Sequence, residues 1–113
     1  MKKVKITELA DVIRSKNSGP YELTLDIIFK NREFFELARR SGIFNKHLYA
    51  DLYGISVDKV IDLVEFEQAN AIKATIVRPV VSGNTGETDV YGAQQHAPLL
   101  SIEVPLEVNN FLV

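Results

Sequence analysis

The chain has 113 residues, 46% of them hydrophobic and 25% charged, with 13 basic against 15 acidic side chains and no cysteine. That length fits one modest hydrophobic core, and the near-balanced charge supplies no electrostatic footprint for nucleic acid or an anionic membrane surface. Without cysteine there is no disulfide, no thiol nucleophile and no thiolate zinc site, so redox chemistry does not fix the compartment.

The opening MKKVKITEL is basic but lacks the apolar run of about 7–15 residues that a signal peptide needs. No stretch approaches a membrane span, so a single cytoplasmic domain over residues 1–113 is expected. Residues 2–13 read two ways: Leu9, Val12 and Ile13 fit a helical face, whereas Val4 and Ile6 alternate like a strand. Thr7 is a possible cap for a short helix, but Ala10 stands where a capping box needs Glu or Gln. Residues 14–20, RSKNSGP, form a polar stretch that ends in a Gly-Pro turn.

Residues 21–29 carry the clearest period of two. Tyr21, Leu23, Leu25, Ile27 and Phe29 share one face, and Glu22, Thr24, Asp26 and Ile28 share the other. Asn31 then offers an N-cap to a helix over residues 32–40, with Phe34, Leu37 and Ala38 on its buried side and Gly42 as its stop. Asn45 caps a second helix over residues 46–53, with Ile43 and Phe44 as staple candidates and Gly54 behind it. Valine- and isoleucine-rich runs beginning at Val57 or Lys59 and ending at Phe66, and over residues 71–78, predict two strands joined in a hairpin through residues 67–70. Pro79 ends the second. A closing strand over residues 99–104 follows, and the apolar Phe111, Leu112 and Val113 are expected to dock on this subunit or another. Taken together the pattern predicts an α+β fold, a small antiparallel sheet with one or two helices packed on one face, in the manner of a ferredoxin-like variant.

Residues 80–98 remain as one long polar loop, far beyond the usual connection of about 4–6 residues, and its length points to function. It holds Asp89, Tyr91, Gln94, Gln95 and His96. His96 has the intrinsic pKa of a general acid or base, and Asp89 in the same loop could orient it; equally, His96 could serve only to hydrogen-bond the loop to the body. His47 reads as a solvated helix residue. No compact ligand motif exists, so no metal is expected, and the glycines of SGNTG lack the lysine of a phosphate-binding loop, so no nucleotide cofactor is expected either. Arg14, Ser15, Lys16 and Asn17 offer a cationic, hydroxyl-rich lining for a carboxylate or phosphate, or else a solvated turn. Should the sheet bring the two polar stretches together, Arg14, Ser15, Lys16 and Asn17 would bind the ligand with Gln94 and Gln95, and His96, Asp89 and Tyr91 would carry any catalysis.

Across ELADVIRSKNSGPYELTLDIIF and GETDVYGAQQHAPLL the chain resembles a small uncharacterised domain family whose members accompany, or are fused to, larger proteins of the AtuA type, named for acyclic terpene utilisation. The first stretch is also similar to the small C-terminal ferredoxin-like domain of AtuA-type proteins, although residues 17–20 depart from its Asp-Lys-Gly turn. The resemblance implies a small accessory subunit of an AtuA-like partner in catabolism of an organic acid or its thioester. The alternative is a stand-alone homo-oligomeric lyase or hydratase acting on a small carboxylate.

Overall fold

A computed structural model describes residues 2–78 and 95–106. Its elements are β1 (Lys3–Lys5), α1 (Ile6–Leu9), β2 (Ala10–Asn17), β3 (Glu22–Phe29), α2 (Arg32–Ser41), α3 (Lys46–Tyr53), β4 (Val60–Phe66), β5 (Ala71–Val77) and β6 (Glu103–Pro105), with 3-10 turns at Val57–Lys59, Glu67–Ala69 and Ala97–Ser101. Four strands form an antiparallel sheet in the order β2-β3-β5-β4, and β1 pairs with β6 in a separate antiparallel ribbon. The fold is α+β.

β3 is the central strand, and its alternation decides which side is inside. Leu23, Leu25, Ile27 and Phe29 are buried, whereas Glu22, Thr24, Asp26 and Ile28 are half-buried on the other side. Tyr21 precedes the strand and is 61% exposed, so the core face begins one step later than its period of two implied. α2 and α3 connect β3 to β4 while β5 lies between those strands, the split β-α-β arrangement of ferredoxin-like folds. The Asn31 side chain accepts from Phe34 N at 2.8 Å and that of Asn45 from Leu48 N at 3.0 Å, satisfying amides that have no partner inside their helices. Gly42 (φ 76°) and Gly54 (φ 66°) end the helices in the left-handed region, where a Cβ is unfavourable.

α2 buries Phe35 and Ala38, while Phe34 and Leu37, expected to line the buried side with Ala38, are only half-buried. Phe35 meets Phe29 edge-on at 6.2 Å, and the Arg32 guanidinium sits 5.6 Å above the Phe35 ring. The N-terminal ambiguity resolves as strand, one helical turn and strand; Thr7 lies inside that turn and Lys5 holds the cap position without a side-chain bond. The closing strand is shorter than expected. Leu99–Ser101 belong to a 3-10 turn, because Leu99 N donates to His96 O at 2.8 Å and Ile102 N to Leu99 O at 3.2 Å, and only Glu103–Pro105 pair, with β1.

Two register shifts complete the sheet. In β2 the pairing slips between Ala10 and Val12, so Asp11 is an extra residue and the inward phase moves from Ala10 to Ile13, Ser15 and Asn17. Arg14 and Lys16 are thereby turned to the face away from the helices. In β4 a similar shift between Val60 and Asp62 leaves Ile61 exposed.

Candidate functional site

The side of the four-stranded sheet opposite α2 and α3 carries two cross-strand rows. Arg14 stands opposite Asp26, and Asp26 opposite Lys73; Lys16 stands opposite Thr24, and Thr24 opposite Thr75. No described element covers these rows. A hairpin sets the first pairing, with Ser18 N donating to Glu22 O at 2.8 Å around Gly19-Pro20. Alternation does the rest: if Leu25 and Ile27 face the core, Asp26 must face away.

Arg14 Nε donates to Asp26 Oδ2 at 3.0 Å, with the Arg14 side chain 61% exposed, so the pair contributes under about 1 kcal/mol to stability. Its value is positional: it fixes a guanidinium whose Nη nitrogens make no hydrogen bond to described residues. Lys16 and Lys73 make no ion pair among the described residues, and Thr24 Oγ1 donates to Lys16 O at 3.2 Å, tying the strand together under the lysine. A concavity of 610 Å³ lies over this ground. It is lined by the four residues that the sequence groups, Arg14, Ser15, Lys16 and Asn17, and by Thr24, Asp26 and Lys73. Three cations face one carboxylate. Ser15 and Asn17 belong to the inward phase of β2; Ser15 is buried, and Asn17 Oδ1 is buried with no hydrogen-bond partner among the described residues.

Gln95 and His96 do not line this concavity. The Gln95 carbonyl accepts from Tyr53 Oη at 2.6 Å, and His96 caps the 3-10 turn whose Leu99 enters the core. They stand with α3, on the helix side, so the sheet lies between them and Arg14. Asp89, Tyr91 and Gln94, with most of the long loop, lie outside the described residues, as do the apolar residues 111–113. Burial pushes the Tyr53 phenol well above its ordinary value, with neighbouring Tyr49 adding to the shift. Tyr49 is shifted the same way by burial and then by the Asp26 charge, and its Oη is buried with no hydrogen-bond partner among the described residues. These phenols stay protonated through the neutral range and act as structure. Among the described residues no group of three His, Asp or Glu side chains could hold a metal, and no helix is long and apolar enough to cross a membrane.

Thr24 and Asp26 were visible as the polar side of β3. Lys73 was not, because its place beside Asp26 depends on the register between β3 and β5. The signal was present: Lys73 and Thr75 alternate with Ile72, Ala74 and Ile76, so both must leave the core.

A family model described as a domain of unknown function (DUF4387) matches residues 6–103. The chain belongs to that family. The matched part of this DUF4387 domain includes all four strands of the larger sheet, both capped helices and every residue lining the concavity. No curated protein and no solved structure matches the chain.

Proposed function

We propose that this DUF4387 chain is a small accessory subunit that holds the anionic group of an organic acid or its thioester on its uncovered sheet face, beside a larger AtuA-like partner. One observation carries the reading: Arg14, Lys16 and Lys73 converge on a concavity with Asp26 as its single carboxylate. Asp26 acts as a positioning residue through its bond to Arg14 Nε, leaving the Nη edge as a donor fork for a carboxylate. Lys16 and Lys73 supply charge from either side of the strand, and Thr24 closes the floor. The sheet is a rigid platform, which suits presentation of a bound acid to a second protein. The resemblance to chains that accompany AtuA-type proteins motivates the partner, and such a pair would work in the cytoplasm.

Calorimetric titration with acetate tests the site. A dissociation constant in the millimolar range, corresponding to about 4 kcal/mol, is expected, weakening with added salt. Arg14→Ala, Lys16→Ala and Lys73→Ala should each weaken it at least threefold. Absence of binding would remove the proposal. Co-expression with an AtuA-like protein, followed by size exclusion with light scattering, tests the partner: a hetero-complex is expected, and a homo-oligomer that ignores it would favour the stand-alone enzyme.

A further inference from the structure

The cationic concavity does not end at the Arg14, Asp26 and Lys73 row. A second concavity of 190 Å³ adjoins it, sharing those three residues, and its remaining walls are Ile28, Phe66, Ala69 and Ala71. Register explains the change of character. Ala71 pairs with Ile28 on one side and Phe66 on the other, so three apolar side chains form the row next to the charged one. Phe66 is 47% exposed, one of the few large hydrophobic side chains the described residues leave in solvent. Ala69, in the 3-10 turn Glu67–Ala69, closes the far end.

From this juxtaposition we infer that the site takes a carboxylate bearing a short hydrocarbon chain, the carboxylate held by Arg14, Lys16 and Lys73 and the chain laid over Ile28, Ala71 and Phe66. The inference rests on the anion-binding reading above and names its ligand class. Charge complementarity fixes the end of the ligand that lies at Arg14. The apolar row fixes the direction of its tail, since a hydrocarbon set the other way would lie over Lys16 and Thr24. The register sets the length: the charged and apolar rows lie two residues apart along each strand, about 6.7 Å at about 3.3 Å per residue, so a chain of about six carbons reaches from a carboxylate at Arg14 across the apolar row. Removing the Phe66 ring and the ligand's methylenes from water together favours binding in proportion to the area covered.

The test is a calorimetric series on the full chain with the sodium salts of acetate, butyrate, hexanoate and octanoate at constant ionic strength. Affinity should rise about threefold per methylene as far as hexanoate and level off at octanoate. Phe66→Ala should flatten the series while leaving acetate within about twofold. Ala69→Glu, on an exposed turn, should weaken hexanoate at least tenfold and acetate far less, and it stands as a second variant should Phe66→Ala not fold. A flat series in the unsubstituted protein would overturn the chain-length inference and leave the anion site standing. A slope unchanged in both variants would place the hydrocarbon elsewhere and also overturn it. Failure of every member to bind would overturn both readings together.

Discussion

The two faces of the four-stranded sheet are built from the same strands and do different work. On the helix side, Leu23, Leu25, Ile27, Ile72, Ala74 and Ile76 are buried beneath Phe35, Ala38, Tyr49 and Ala50. On the other, Arg14, Lys16, Asp26 and Lys73 stand one residue away along the same backbone and face a concavity. The difference teaches that a period of two can separate stability from function within a single strand. Side chains on the first face are constrained by packing; those on the second are free to be chosen for a ligand.

The largest expected effect comes from mixing the faces. Leu25→Asp puts a carboxylate at a position with 0% exposure and should cost more than about 4 kcal/mol, abolishing folding. A soluble variant with a cooperative melt would mean the faces are assigned backwards. Deleting Asp11 should do much less. Without the extra residue, Ala10 and Val12 become consecutive partners of Phe29 and Ile28, so Ile13 and Ser15 stay inward, Arg14 and Lys16 stay outward, and circular dichroism should show the folded state retained at 25 °C. A deletion variant that fails to fold would show that Asp11 is not the extra residue that sets the phase of β2.

A smaller effect separates two tyrosines one helical turn apart on α3. Tyr53→Phe removes the bond to Gln95 O and should cost about 1 kcal/mol in a urea melt, whereas Tyr49→Phe removes a buried hydroxyl with no partner among the described residues and should be neutral or slightly stabilising. Both phenols are raised in the folded state by burial. Their contribution is therefore present below the ordinary phenol value near 10 and lost as pH rises above it, so the melting temperature should fall from about pH 10 upward. The double Phe variant should fall less steeply. The smallest expected effects are one on each side of the sheet: Arg14→Ala, on the open face, should shift stability by less than about 1 kcal/mol while weakening anion binding, and His96→Ala, on the helix side, should leave the melting temperature within a few degrees. A large loss of stability in either would return that residue to the scaffold.

Much of this arrangement could be read before the structure. The period of two in β3, the Asn31 and Asn45 caps, the glycine stops and the β4-β5 hairpin are local signals, and each lies within a residue or two of where it was expected. The first ten residues were not legible, because β1 is held by pairing with β6 about a hundred residues later, and no local pattern encodes that partner. The same reason hides Lys73 from the site. The polar group of residues 14–17 was visible as chemistry, but its placement on a strand depends on the register shift at Asp11. Phe34 and Phe35 show the limit of helical periodicity: adjacent aromatics both suit a core, and the ring contact with Phe29 decides for Phe35.

The most direct measurement is an amide-resolved NMR titration of the full chain with butyrate. The account predicts shifts concentrated at Arg14, Lys16, Thr24 and Lys73, with Gln95 and His96 unmoved. Shifts centred on Gln95 and His96, or none at any concentration that binds, would contradict it.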